Sequence, residues 1–170
     1  RAQLSYVGCR VVKNIESFEA LYPFTSLYFD LNPYKLHYLD EGEGEALLFL
    51  HGNPTWSFYY RSLILSFQDR YLCIAPDHIG CGFSDKPQDY NYTLETHIDN
   101  LEKLVDFLGL KDITLVVHDW GGAIGMGLAV RKPELIKRLV LFNTASFLSM
   151  DIPLRIGLCR MPILGTILIR

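Results

Sequence analysis

The chain has 170 residues, 49% of them hydrophobic and 21% charged, with a formal net charge of −3. That length supports one domain with a sizeable core, and the mixture excludes a disordered chain. There is no basic stripe for nucleic acid, no run of like charge, and no stretch near the roughly 20 apolar residues of a membrane span.

Residues 1–22 carry no catalytic pattern and read as an N-terminal extension of unclear role. No basic-then-apolar leader opens the chain. From Tyr22 the pattern sharpens. Leu27–Leu31 and Lys35–Leu39 alternate about Asn32-Pro33-Tyr34, a β-hairpin pattern. Ala46–Leu50 is a short, fully apolar strand of the kind buried on both faces. Trp56–Phe67 has helical spacing, with Phe58, Leu63 and Phe67 near one face, and Tyr71–Ala75 is a second buried strand. Asp77–Pro87, rich in Gly, Ser and Pro, reads as a long loop.

Thr93 opens a helix as its N-cap, and Thr96 stands where a capping box would place Glu. Ile98, Leu101, Leu104, Val105 and Leu108 form its apolar stripe, and Gly109 stops it. A strand at Ile113–Val117, a helix at Ala123–Arg131 and a strand at Leu139–Phe142 follow. Strands alternating with helices imply an α/β fold, a mostly parallel sheet covered by helices on both faces. The four cysteines, Cys9, Cys73, Cys81 and Cys159, form no Cys-x-x-Cys pair and have no zinc spacing. They read as free thiols of a reducing compartment, the cytoplasm.

The chemistry concentrates at Val116-Val117-His118-Asp119-Trp120-Gly121-Gly122. A strand ends on a polar pair and a Gly-rich helix begins, the outline of a nucleophile elbow. Asp119 could simply cap that helix, but the strand before it and the two glycines after it favour a nucleophile that attacks carbon to form an ester. Trp120 could be a core aromatic. Beside the nucleophile, its indole N–H can point at a leaving group and its backbone N–H can face an oxyanion. Asn53, in His51-Gly52-Asn53-Pro54-Thr55-Trp56, could be a turn residue. At a strand end it also supplies a backbone N–H and an amide as donors. Trp56 is a candidate pocket wall. His51 and His118 are rejected as the base because each adjoins a motif in sequence, and His118 should point away from Asp119. His78, Asp77 and Asp85 read as structural. No metal cluster or phosphate loop is present, and no cofactor is expected.

Three segments together resemble the haloalkane dehalogenase family of α/β-hydrolases over about residues 22–148. They are His51 to Trp56, Asp77-His78-Ile79-Gly80-Cys81-Gly82-Phe83-Ser84-Asp85-Lys86-Pro87, and His118 to Gly122. The resemblance implies that Asp119 attacks the carbon bearing halide while Asn53 and Trp120 hold the departing ion. Epoxide hydrolases share the Asp but usually carry an aromatic residue where Asn53 stands. The Asp-His-Ile-Gly-Cys-Gly loop and Trp56-Ser57-Phe58-Tyr59-Tyr60-Arg61 look like the branch of β-lactone decarboxylases of bacterial long-chain olefin biosynthesis. That branch implies opening of a four-membered lactone, loss of carbon dioxide to a cis-alkene, and a place in a hydrocarbon-biosynthesis assembly. The runners-up are a hydrolytic haloalkane dehalogenase and a non-catalytic remnant that only binds.

The family also needs a His base and a carboxylate partner. One branch places the acid 24 residues after the nucleophile, where this chain has Asn143. Both partners are therefore expected later than Arg170, with residues 23–148 the N-terminal part of the hydrolase domain and 149–170 the start of a helical cap. The chain begins with Arg and ends in an apolar stretch, so both ends look cut. The expectation is an exposed sheet edge at Phe142, poor folding, no turnover, and at most one alkylation of Asp119 that stalls as the ester.

Overall fold

The computed structural model describes residues 15–145; the cap start at 149–170, Cys9 and Cys159 lie outside them. Six strands form one sheet: β1 (Leu27–Asp30), β2 (Lys35–Glu41), β3 (Glu45–Leu50), β4 (Tyr71–Pro76), β5 (Ile113–His118) and β6 (Ile136–Phe142). The spatial order is β1-β2-β4-β3-β5-β6. The hairpin β1–β2 and the β2–β4 pair are antiparallel, and β4, β3, β5 and β6 run parallel.

Helices cover both faces because side chains alternate along the strands. Ala46, Leu48, Leu50, Leu115 and Val117 point to one face, where they pack under Ile98, Leu101 and Val105 of α3 (Leu94–Leu108) and Ile124 and Leu128 of α4 (Trp120–Arg131). Leu47, Phe49, Cys73, Ala75 and Val116 point to the other, under Tyr60 and Ile64. A strand buried on both faces has no polar side, which explains the apolar run of β3 and the β-rich run of β5, broken only by the buried Thr114.

The structure shifts several boundaries. The helix expected over Trp56–Phe67 is a 3-10 turn at Ser57–Tyr60 followed by α2 (Arg61–Phe67). The Ser57 N–H is drawn off to Asp77 Oδ1 at 2.7 Å, and Trp56 stays extended. β6 starts at Ile136, three residues early, because Lys137 and Arg138 hide an edge strand whose charges pair with Glu45. α4 starts at Trp120 rather than Ala123, since its two glycines, poor helix formers, are needed for close packing.

A short helix, α1 (Ile15–Leu21), lies within the expected extension. Tyr22 is buried in the core with its hydroxyl 2.6 Å from Ser57 Oγ, so packing reaches back to Phe18. Thr93 Oγ1 accepts from Thr96 N at 3.3 Å, and Gly109 ends α3 at φ +62°, a conformation Gly adopts without strain. Among the described residues β6 borders only β5, and Leu139, Val140, Leu141 and Phe142 are exposed there. Also among the described residues, no helix is long and apolar enough to cross a membrane, and Cys73 and Cys81 are free thiols.

Leu115 is fully buried between the central strands and α4. Leu115→Ala should lower unfolding stability by about 2–5 kcal/mol in urea titration, because the rigid neighbours leave a cavity. A loss below about 1 kcal/mol would contradict the described packing.

Candidate active site

β5 ends at His118 and α4 begins at Trp120, so Asp119 alone makes the turn. It does so at φ +51° and ψ −123°, a conformation costly for a residue with a Cβ. The surroundings force it. A Cβ on Gly52 would meet the Asp119 side chain, one on Gly121 would meet the Leu50 carbonyl, and one on Gly122 would meet Thr144. The elbow needs these three glycines because strand ends and helix touch backbone to backbone. The Asp119 carbonyl accepts from Gly122 N at 3.0 Å and from Thr144 Oγ1 at 2.6 Å.

The Asp119 carboxylate does not cap α4. Its Oδ1 accepts the Asn53 backbone N–H at 2.9 Å, bringing the two sequence motifs together. The Asn53 side of this contact is held by histidine. His51 Nδ1 lies 2.8 Å from the Gly52 carbonyl, and its Nε2 accepts the His78 N–H at 3.0 Å. That arrangement fixes His51 as a neutral ring with its proton on Nδ1.

Asp119, Trp120, Leu94, Ala123, Asn143, Thr144 and Ala145 line an open hollow of about 770 Å³. On its other side Trp120 joins Asn53, His51, His78, His97 and Cys81 around a cavity of about 300 Å³. The Trp120 indole is therefore half exposed between two spaces. Trp56 lines neither. It packs with Tyr22, Phe58 and Phe83 at ring separations of 5.1, 5.4 and 4.9 Å. His118 turns away from Asp119 and stacks on Tyr59 at 4.6 Å. Asn143 stands in the hollow at the end of β6.

Thr144 was not legible as a site residue. A lone Thr after a strand carries no signal, and its role as a donor to the Asp119 carbonyl comes from the fold alone. Asp77 and His78 serve the architecture. Asp77 is fully buried, with Oδ1 on Ser57 N and Oδ2 2.8 Å from Phe83 N. Burial alone would raise its pKa, but His37 and these N–H groups hold it below the usual carboxylate value. Among the described residues, no group of three or more His, Cys, Asp or Glu is placed to hold a metal.

The family model for the α/β-hydrolase fold matches residues 45–162. The chain is an α/β-hydrolase. It is 54% identical over 158 residues to a cis-3-alkyl-4-alkyloxetan-2-one decarboxylase of Shewanella oneidensis, covering 89% of this chain and 50% of that protein. The decarboxylase of the same name from Xanthomonas campestris is 48% identical over 137 residues, covering 74% and 46%. Haloalkane dehalogenase 2 of Mycobacterium bovis is 44% identical over 124 residues, covering 73% and 43%. This α/β-hydrolase thus spans about half the length of the curated relatives it matches. Among solved structures, a haloalkane dehalogenase from Agrobacterium tumefaciens superposes with a TM-score of 0.74 at 31% identity, over 84% of this chain and 51% of that one. An epoxide hydrolase from Bacillus megaterium reaches 0.65 at 36%, over 71% and 43%. These relatives place the hydrolase within the haloalkane-dehalogenase-like clan.

Two outcomes test this geometry. Gly121→Ala should lower stability by about 1–3 kcal/mol in urea, since the new methyl has only backbone to displace; an unchanged midpoint would contradict the close approach. Burial holds His51, His78 and His97 below the ordinary histidine value, and mutual repulsion adds to this for His78 and His97. The unfolded chain takes up these protons first, so stability is kept above about pH 6.5 and lost as pH falls below it. Urea midpoints from pH 7.5 to 5 should fall, and less steeply in His97→Gln; equal slopes would contradict the His97 contribution.

Proposed function

We propose that Asp119 is the nucleophile of an enzyme that opens β-lactones and releases carbon dioxide to leave a cis-alkene. The observation that carries this reading is the carboxylate itself, held on a strained elbow and turned from the helix to the Asn53 N–H. With Oδ1 so held, Oδ2 is left to attack. After attack Oδ1 becomes the ester carbonyl, still against a backbone donor. The Asn53 amide and Trp120 indole serve as donors to the departing group, an anion in either chemistry.

The two chemistries differ in how the ester is cleared. Opening the lactone at its ring C–O carbon leaves an ester with a carboxylate on the next carbon. Cleavage of that C–C bond forms carbon dioxide and the alkene and expels Asp119 as a free carboxylate, with no water consumed. A haloalkane instead leaves an ester that water must cleave with a base. Among the described residues the Asp119 carboxylate has no imidazole partner. The lactone is favoured by the likeness to the two oxetan-2-one decarboxylases. The 44% likeness to a haloalkane dehalogenase supports halide displacement as the second reading.

The test is to supply a cis-3,4-dialkyl β-lactone or a 1-bromoalkane and follow alkene, carbon dioxide and bromide. Because the lactone-derived ester clears without water, the result expected here replaces the absence of turnover expected from the sequence: alkene from the lactone and no more than one equivalent of bromide, with both lost in Asp119→Asn and slowed about 10²–10³-fold in Asn53→Ala. Continuous bromide release without alkene would favour the dehalogenase reading, and consumption of neither would overturn both.

A further inference from the structure

We propose that Ser26, His37 and Asp77 form a second nucleophilic site, in which the Ser26 hydroxyl accepts an acyl group from apolar aryl esters. Ser26 is exposed just before β1, and its Oγ lies 3.1 Å from His37 Nε2. The His37 ring is fully buried on β2, with Nδ1 2.9 Å from Asp77 Oδ2. That second contact is close but oblique, the N–H not aimed straight at the oxygen. With the proton on Nδ1 beside the carboxylate, Nε2 is the acceptor for Ser26. This gives a nucleophile, a base and a carboxylate that orients the base, an arrangement recognised by geometry and roles rather than by sequence position.

Asp77 cannot swing away, because the N–H groups of Ser57 and Phe83 bind its two oxygens. None of the three residues lines the spaces at Asp119. The rim suits an apolar donor: the rings of Tyr28 and Phe83, both about half exposed, lie 5.4 and 5.2 Å from the His37 ring.

The step balances without an added reactant. Ser26 Oγ bonds to the ester carbonyl carbon, its proton passes to His37 Nε2, and the carbon–aryloxide bond breaks with the electron pair leaving on oxygen. His37 is fully buried behind Ser26 and cannot hand its proton to a leaving group, so only groups that depart as stable anions suffice. The same burial keeps His37 from activating water, and the acyl-serine persists as a single modification.

The test treats the chain with p-nitrophenyl butyrate and maps acylation by peptide mass spectrometry. Ser62 and Ser66, exposed serines of α2, serve as internal references. Ser26 should acylate about 100-fold faster than either, the scale of general-base assistance. Its rate should follow a single ionisation and then level off, whereas reference serines keep rising with hydroxide. Ser26→Ala should remove the adduct, and Asp119→Asn should leave it unchanged, which separates this site from the lactone chemistry. Acylation of Ser26 no faster than of Ser62, or a rate that rises without a plateau, would overturn the proposal and leave His37–Asp77 a staple between β2 and the loop after β4.

Discussion

The site depends on one contact: the backbone N–H of Asn53, after β3, donating to the carboxylate of Asp119, after β5. β3 and β5 are neighbours in the sheet, paired in parallel through Leu50 and Val117. Their carboxyl ends therefore rise side by side, and the two turns that follow must share a small volume. That crowding demands Gly52, Gly121 and Gly122 and drives Asp119 to positive φ. Strain there persists because the packed strands over-determine it. Carboxylates favour a helix N-terminus, yet this one is withheld from capping and presented to the hollow beside it.

Buried polar groups support the contact from below. His51 ties the Gly52 carbonyl to the His78 N–H, and Asp77 ties the starts of the 3-10 turn and the Phe83 loop to the end of β4. The two Asp77 oxygens and both His51 nitrogens are partnered, which lowers the cost of their burial. The three neutral histidines near the cavity make the same architecture sensitive to acid. The loop from Asp77 to Pro87 is long but fixed, since Gly80 N bonds the Asp85 carbonyl and Asp85 Oδ2 accepts from Lys35 N.

The parallel sheet and its covering helices were legible because β3 and β5 are apolar on both faces and α3 carries a clean stripe. The elbow was legible because strand, Asp and paired glycines rarely coincide by chance. Three things were not. Lys137 and Arg138 masked the start of β6, since their partner Glu45 is 92 residues away for Lys137. The start of the 3-10 turn at Ser57, rather than Trp56, is fixed by Asp77 accepting the Ser57 N–H from 20 residues away, which no local periodicity reveals. Tyr22, within the extension of unclear role, is drawn into the core beside Phe18, Trp56, Phe58 and Phe83, aromatic partners that no local pattern reveals.

The central claim, that Asp119 is an ester-forming nucleophile, is tested most directly by the mass of the chain itself after exposure to a 1-bromoalkane. The account predicts one added alkyl group per chain, located on the peptide containing Asp119, with one bromide released. An unmodified chain, or an alkyl group on Cys81 or any residue other than Asp119, would contradict it.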